Sequence, residues 1–329
     1  MPFKAALLPL YLITTASAQV TSVDLSAYTL VQTINLPTPA LTEASEVTYD
    51  WDNGHLYCAG DNGVAVVELS LAGAPISSML LSGFSDTEGL TYIGNGQFVI
   101  AEERLQTVYK FTYAPGTTLV RSTLSSAALG PTVGNVGIEG VSFEPRTGLY
   151  FAVKEKDPFR MLRAAIDFPA GTATATDLFD PALLGVTDLA DLAVLSTVPS
   201  LIGTADQDNL LVLSQESARL VKCTRTGVVL GSLSLAGLST TAEGVTIDSR
   251  GYIYICDESP KLFVYRPPCY PNCDASTTAP VLNANDFSCF LNAFAQGQTR
   301  ANCDGSTTAP VLNANDFSCF LNAFAVGCP

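Results

Sequence analysis

Short apolar strands recur at regular intervals along the first four-fifths of this 329-residue chain. Five of them begin at or just after an acidic residue, and glycine follows the acid in three of the copies. These acidic residues lie at intervals of 42 to 52 residues, and they are Glu46, Glu88, Glu139, Asp191 and Glu243. Spacing of this length indicates an internal structural repeat.

Each repeat continues with further apolar strands, separated by turn residues that tolerate positive φ. The turns include residues 50–54, 94–96, 145–148 and 248–251. Fourth strands are predicted at 118–122 and 228–233. Repeats of roughly 40–50 residues with four strands each are typical of a β-propeller.

The repeats therefore predict an all-β fold, a five-bladed propeller over residues 19–268. The last copy ends at its third strand, before Pro267 and Pro268. The lone strand at 29–36 can supply the missing fourth strand, which would close the ring and leave no free sheet edge. The fourth copy carries an insertion around 198–206, and a degenerate blade hidden there would raise the number of blades to six.

The order and spacing of these motifs also resemble a known family. The motifs are Glu43–Asp50 (EASEVTYD), Asp86–Ile93 (DTEGLTYI), Ile138–Phe143 (IEGVSF), Asp188–Leu192 (DLADL) and Ala242–Ile247 (AEGVTI). Over roughly residues 28–266 the chain is similar to the SdiA-regulated (YjiK-like) propeller family. The resemblance implies the fold and, because the biochemical role of that family is poorly defined, no particular activity.

After Pro268 the apolar pattern changes to the period of a helix. Residues 276–295 recur without a change at 306–325. Apolar residues fall at i, i+3, i+4 and i+7 in both copies, as Phe287, Phe290, Leu291 and Phe294, and as Phe317, Phe320, Leu321 and Phe324. The pattern predicts helices that begin near Asn285 and Asn315 and end before Gly297 and Gly327. Two such helices can bury their phenylalanines only against each other or against a partner.

This duplicated loop and helix, residues 269–329, resembles the dockerin module, specifically the cysteine-bearing GC-type dockerins at the C-termini of exported bacterial proteins. The resemblance implies EF-hand-like calcium loops and a cohesin-like or cell-surface protein as partner. The Ca²⁺ ligands that it implies are Asp274, Ser276, Thr278, Asn283 and Asp286 in the first loop, and Asp304, Ser306, Thr308, Asn313 and Asp316 in the second.

The loops depart from the usual calcium pattern in three ways. Hydroxyls replace the usual Asn and Asp, the span from Asp274 to Asp286 covers thirteen positions, and Pro280 and Pro310 replace the loop glycine. A second interpretation is that disulfides have taken over the structural role of the metal, and that the acids only cap the helices.

Cysteines and the N-terminus both predict export. Six of the nine cysteines lie between Cys269 and Cys328, and an even set in a small exported module indicates a disulfide framework with fifteen open pairings. Residues 1–18 combine Lys4, an apolar run and a small-residue cleavage pattern, which predicts a bacterial signal peptide. The protein is therefore expected to be secreted, extracellular or associated with the cell surface. No other segment reaches the length of a transmembrane helix.

The net charge of the chain limits the kinds of ligand that the protein can bind. The chain has 31 acidic and 16 basic residues and a formal charge of −15, which argues against nucleic acid and anionic membranes and favours cations. The five acidic repeat residues fall on the innermost strand of each predicted blade. Because five facing carboxylates cannot all stay ionised without a cation or many hydrogen bonds, we expect them to hold Ca²⁺. The alternative is that they accept backbone hydrogen bonds and only close the ring.

A second row of charges follows the first along the repeats. In four repeats a charged residue lies fifteen positions after the repeat acid, and these residues are Asp61, Glu103, Lys154 and Glu258. In the fourth repeat, Glu216 lies twenty-five positions after Asp191. This row is predicted near one mouth of the channel, either as a rim that binds a polar ligand or as a solvated, ion-paired face.

The usual catalytic constellations are mostly missing from the sequence. His55 is the only histidine, and there is no G-x-S-x-G elbow, Walker loop or dinucleotide fingerprint. The leading hypothesis is a secreted, non-enzymatic propeller that binds a ligand or a protein and is displayed through the C-terminal module. The alternative is a calcium-dependent hydrolase of phosphoesters, esters or lactones that uses the channel carboxylates. A third interpretation is a purely structural surface element.

Overall fold

A computed structural model describes residues 20–276, 278–304, 306 and 308–328. The predicted signal peptide, residues 1–18, lies outside these described residues. The described chain forms two compact units, one of residues 20–268 and one of residues 269–328. Among the described residues, no helix has the length and apolar composition needed to cross a bilayer.

The first unit is built almost entirely from strands. They are β1 (Thr29–Asn35), β2 (Ala44–Asp50), β3 (His55–Gly60), β4 (Ala65–Leu69), β5 (Pro75–Ser82), β6 (Thr87–Gly94), β7 (Gln97–Glu102), β8 (Thr107–Thr112), β9 (Thr118–Val120), β10 (Ser125–Ala128), β11 (Ile138–Glu144), β12 (Leu149–Lys154), β13 (Arg160–Asp167), β14 (Thr172–Phe179), β15 (Asp191–Val194), β16 (Leu210–Ser214), β17 (Arg219–Cys223), β18 (Val229–Ser234), β19 (Ala242–Ile247), β20 (Ile253–Asp257) and β21 (Lys261–Arg266).

These strands form five sheets, the blades of a five-bladed propeller, and the four main strands of each blade pair antiparallel. Blades I to IV have β2, β6, β11 and β15 as their innermost strands, and blade V runs β19-β20-β21-β1 from the inside outwards. The N-terminal strand β1 pairs antiparallel with β21, from Thr29 opposite Arg266 to Asn35 opposite Lys261. The predicted five blades and the closure of the ring by the N-terminal strand are confirmed.

Two details differ from the sequence prediction. The segment at 118–122 is not the fourth strand of blade II, because β9 pairs parallel with β5 of blade I, where Leu119 is buried between the two blades. The fourth strand of blade II is β10, whose sequence Ser-Ser-Ala-Ala lacks β-branched residues. The insertion in the fourth repeat folds into two 3-10 turns, Leu195–Thr197 and Pro199–Leu201, and adds no sixth blade.

Apolar side chains between neighbouring blades form the core, and hydroxyl groups join the innermost strands around the ring. The Oγ1 atoms of Thr48, Thr91 and Thr246 and the Oγ atom of Ser142 each accept a hydrogen bond from a backbone N–H of the next blade. In blade IV the equivalent residue is Ala193, which cannot accept one. There Asp191 Oδ2 accepts from Val245 N instead, at 2.7 Å.

The second unit contains two helices, α1 (Ala284–Ala295) and α2 (Ala314–Val326). Their apolar faces pack against each other, and Phe290 stacks on Phe320 with ring centroids 4.1 Å apart. Three disulfides join Cys269 to Cys328, Cys273 to Cys289 and Cys303 to Cys319. The other three cysteines, Cys58, Cys223 and Cys256, are free and buried in the propeller.

Candidate functional site

Three of the repeat acids project from β-bulges at the start of an innermost strand. The pairing of β6 with β7, β11 with β12 and β19 with β20 shifts register at Glu88, Glu139 and Glu243 respectively. A bulge leaves one residue without a cross-strand partner and redirects its side chain. All three carboxylates line one cavity at the centre of the propeller.

The other two repeat acids occupy a different position, one residue further along the strand. The bulged residue in blade I is Ser45, and Glu46 pairs opposite Ala59 as Gly89 pairs opposite Ala101 in blade II. In blade IV, Asp191 pairs opposite Leu213. The five acids therefore do not form one ring, because Ser45 and Ala190 take the positions that Glu88, Glu139 and Glu243 hold elsewhere.

Close contact between the innermost strands explains why glycine follows the acid in the other blades. A Cβ atom on Gly140 would lie 2.6 Å from Asp191 Cα, and one on Gly244 would lie 2.9 Å from Glu46 Cα. Glu46 and Asp191 thus fit because each faces a glycine of a neighbouring blade. Both side chains are buried.

The central cavity has a volume of about 410 Å³ and is strongly acidic. Eight carboxylates line it with a single cationic side chain. The lining residues are Asp61, Asp86, Glu88, Arg104, Asn135, Glu139, Glu155, Asp188, Ala190, Gln215, Glu243 and Glu258. Arg104 Nε lies 3.0 Å from Asp86 Oδ2 and donates its hydrogen bond to Asn135 Oδ1.

The second row of charges along the channel differs from the sequence prediction at two positions, one in blade III and one in blade IV. In blade III, Glu155 is the residue equivalent to Asp61, Glu103 and Glu258 of the other blades. The backbone hydrogen bonds show this equivalence, because Glu155 N donates to Gly137 O just as Glu103 N donates to Asp86 O. The fifteen-residue spacing selected Lys154 instead because the first turn of blade III is longer than that of blade II.

In blade IV the cavity is lined by Gln215 rather than by Glu216. Glu216 is half exposed and pairs with Lys156, at 2.7 Å. Lys156 also reaches Glu155, at 2.6 Å, and Lys154 Nζ donates to the carbonyl oxygen of Lys156. The basic residues of this segment therefore partly neutralise one side of the rim.

Three carboxylates come together with the spacing of a metal site. Glu103, Glu139 and Glu155 each offer an oxygen, and these oxygens lie within 4.8 Å of one another. Glu103 is held in place because its Oε1 accepts a hydrogen bond from Gly137 N, at 2.7 Å. Carboxylate oxygens converging in this way suit a hard cation such as Ca²⁺.

Burial and mutual repulsion favour the neutral form of the channel carboxyls. Burial, together with the charges of Glu88, Glu103 and Glu243, raises the pKa of Glu139 well above its usual value. Burial is also the main cause that raises the pKa of Glu103 to about 7 and that of Glu243 to about 9. These shifts follow from the geometry, because like charges a few ångströms apart in a poorly hydrated site cannot all ionise.

Glu46 and Asp191 are buried and do not line the cavity, and they differ in their hydrogen bonds. Both oxygens of a carboxylate need partners when buried. Asp191 accepts the hydrogen bond from Val245 described above, which is the ring-closing role weighed from the sequence. Glu46 is 2% exposed and its Oε1 has no hydrogen-bond partner. Burial and the charges of Glu88 and Asp191 raise its pKa well above the usual value.

His55 lies away from the cavity, at the start of β3. Its Nδ1 is 2.7 Å from Glu68 Oε1, and neither residue lines the central cavity. The described part of the channel therefore offers carboxylates, a guanidinium and amides for chemistry, and no imidazole.

The sequence profile of the SdiA-regulated family matches residues 21–266, which is the propeller. The chain belongs to the SdiA-regulated family. Among solved structures, this SdiA-regulated chain is similar to virginiamycin B lyase from Staphylococcus aureus, with 13% identity and a TM-score of 0.40 over 70% of this chain and 68% of the lyase. It is also similar to the glutaminyl cyclase of Myxococcus xanthus, with 14% identity and a TM-score of 0.48 over 73% and 95% of the two chains. Similarity at this level carries no inference about chemistry.

Outside the SdiA-regulated propeller, the predicted calcium ligands of the second unit lie in two loops that precede the helices. Asp286 and Asp316 are fully buried at the first turn of α1 and α2. Asp274, Thr278, Asp304 and Thr308 are exposed. Both helices begin with a capping box, in which Asn283 or Asn313 is the N-cap. Two of the five predicted ligands in each loop, Asn283 with Asp286 and Asn313 with Asp316, therefore serve to start a helix.

Proposed function

We propose that this SdiA-regulated protein is an exported propeller that binds a hard divalent cation, Ca²⁺, in its central channel and presents it to a ligand. The observation that carries the proposal is the cavity with eight carboxylates and one arginine. An anionic channel of this kind concentrates cations, and a bound cation attracts the oxygen atoms of a further ligand.

The raised pKa values of the channel carboxyls support this proposal. Each carboxyl that burial and repulsion keep neutral would ionise when a cation enters, so binding would release protons. Glu103, Glu139 and Glu155 form the best-defined site. Glu139 and Glu155 line the cavity, which leaves room for water or ligand oxygens to complete the coordination shell.

Isothermal titration calorimetry of the full chain with CaCl₂ in two buffers of different ionisation enthalpy tests the proposal. We expect one channel site, proton release on binding, and a loss of affinity of about ten-fold or more in Glu139→Gln. Asp177→Asn is the matched control because Asp177 lies on the outer strand β14, where it is 63% exposed and pairs with Arg160. A wild-type chain that binds no Ca²⁺ at millimolar concentration would refute the proposal.

A calcium-dependent hydrolase of phosphoesters, esters or lactones is the second candidate function. It is favoured by Glu243, which lines the same cavity outside the cluster of Glu103, Glu139 and Glu155, because burial raises its pKa to about 9 and a carboxyl that keeps its proton can act as a general acid. Phosphatase, esterase and lactonase assays with and without chelator separate this candidate from simple binding. Activity that requires Ca²⁺ and is lost in Glu139→Gln would place it in the channel, whereas activity unaffected by chelator would argue against it.

We further propose that residues 269–329 display the propeller outside the cell by docking to a cohesin-like or other cell-surface protein. Support comes from the duplicated sequence and from three disulfides in this unit, which are typical of exported proteins. Expression of the chain without residues 269–329 tests this proposal. We expect the truncated protein in the medium, and unchanged surface association would contradict the docking role.

A further inference from the structure

The calcium loops that the dockerin resemblance implies are closed by hydrogen bonds in this structure. Asp286, which would close the first loop around the ion, accepts from Asp274 N at Oδ1, at 3.2 Å, and from Asn283 N at Oδ2, at 2.8 Å. Asp316 makes the same two bonds, at the same distances, to Asp304 N and Asn313 N. A bidentate calcium ligand must direct both oxygens at the ion, and these two direct them at backbone N–H groups.

Three of the remaining implied ligands of the first loop also bond to its backbone. Asp274 Oδ1 accepts from Ser276 N, and Asn283 Oδ1 accepts from Asn285 N as the helix N-cap. Ser276 Oγ donates its proton to Val281 O, which fixes the hydroxyl against the backbone of its own loop. Thr278 is exposed. The donor set therefore does not fit a calcium ion, and the second loop repeats these bonds.

A disulfide makes the connection that calcium would make in each loop. The metal of an EF-hand ties the start of the loop to the helix that follows it. Cys273, directly before Asp274, is bonded to Cys289 in α1, and Cys303 is bonded to Cys319 in α2. The third disulfide, Cys269–Cys328, joins the two ends of the unit. A unit of about sixty residues has a small core and is only marginally stable without such links.

We infer that the C-terminal unit is a disulfide-dependent module that folds without calcium, and therefore presents its docking surface only where its cysteines are oxidised. The dependence on disulfides follows from the hydrogen bonds and disulfides above, whether or not the propeller binds a cation, and the docking surface rests on the docking role proposed for this unit. Chelators should leave the unit folded, whereas reductants should unfold it.

The redox step is a thiol–disulfide exchange. Each disulfide takes up two electrons and two protons from a dithiol such as dithiothreitol, which itself becomes a cyclic disulfide. The folded unit thus contains six electrons and six protons fewer than the reduced one. In the reverse direction a disulfide-containing oxidant of the exporting compartment accepts them.

Hydrogen–deuterium exchange of the full chain, resolved by peptide, measures both halves of the inference. We expect protection of α1 and α2 to change less than about two-fold between CaCl₂ and EDTA, and to fall by about thirty-fold or more in dithiothreitol. The propeller is the internal control, because its three cysteines are free and buried and its exchange should not respond to reductant.

The identical repeats supply a matched variant. Replacing Cys273 and Cys289 by alanine removes the disulfide of the first repeat and leaves Cys303–Cys319 in the second, so hydrogen–deuterium exchange should rise most in α1. Loss of protection in EDTA alone, or recovery of protection when CaCl₂ is added to the reduced chain, would overturn the calcium-independent half of the inference. Full protection of both helices after complete reduction, verified by thiol alkylation, would overturn the oxidation-dependent half.

Discussion

The metal-free propeller should lose stability as the pH rises, and Glu103 should be a measurable part of that loss. Its pKa is raised from 4.5 to about 7 in the folded chain, so the folded state holds the proton more tightly than the unfolded state. The stability that this protonation contributes is complete below pH ~4.5 and is lost as the pH rises through about 7. Glu243, with a pKa of about 9, continues the decline at higher pH.

The size of the effect follows from the shift. One pKa unit corresponds to about 1.4 kcal/mol, so Glu103 accounts for at most about 3 kcal/mol between pH 4.5 and pH 8, and less if water screens the cavity. The variant Glu103→Gln stays neutral at every pH. The difference in free energy of unfolding between variant and wild type should therefore shift by up to that amount in favour of the variant.

Urea denaturation in EDTA, followed by tryptophan fluorescence, measures this difference. Trp51 is the only tryptophan of the chain and packs against Tyr92 with ring centroids 4.6 Å apart, so its emission reports on the propeller alone. Asp177→Asn is the control, because that exposed carboxylate should leave the pH dependence unchanged. Added CaCl₂ should restore wild-type stability at pH 8 more than it restores that of Glu103→Gln.

A metal-free wild type whose stability changes between pH 4.5 and pH 8 in parallel with that of Glu103→Gln would refute a raised pKa for Glu103. Such a result would mean that the Glu103 carboxyl ionises in the folded chain at its ordinary pKa. The crowding of carboxylates around the channel would then be relieved by hydration.

Three further changes test the packing. Gly140→Ala should lower the free energy of unfolding, measured by urea denaturation, by about 1–3 kcal/mol or more, because the added Cβ would lie 2.6 Å from Asp191 Cα. Gly231→Ala is its control and should be neutral or slightly stabilising, because an added Cβ there would have no atom within 4 Å. Asp191→Ala should cost about 1–3 kcal/mol in the same assay by leaving Val245 N unpaired, and Asp191→Asn, which keeps an acceptor, should cost less. Phe290→Ala should lower the stability of the C-terminal unit by about 3–5 kcal/mol, because it removes the stacking on Phe320. Hydrogen–deuterium exchange should then be faster in both helices and unchanged in the propeller.

The repeat could be predicted from the sequence because turn residues and strand patterns recur in every blade. The closing strand β1 could be predicted as well, since the last repeat stops one strand short. The strand β9 could not be assigned correctly, because its partner β5 belongs to another repeat and nothing local identifies a parallel edge pairing.

The register of the channel acids could not be predicted from the sequence, because it depends on how the strands pair. Glu46 and Glu88 look equivalent in the sequence, and only the pairing of the strands shows that Ser45 is the residue equivalent to Glu88. The signal that could have separated them is the glycine after the acid, which Glu46 and Asp191 both lack. The cluster of Glu103, Glu139 and Glu155 depends on the length of the turn in blade III, so a fixed spacing along the chain missed Glu155.

The pairing of β1 with β21 has a consequence for the order of events in the cell. These strands come from opposite ends of the propeller, so the ring cannot close until the ribosome has made almost the whole chain. Folding that depends on such distant partners is slow, because the ends of a long chain must first meet. A secretion channel accepts polypeptide that has not finished folding. Late closure of the ring would therefore suit the export proposed above, because the chain could leave the cell before β1 reaches β21.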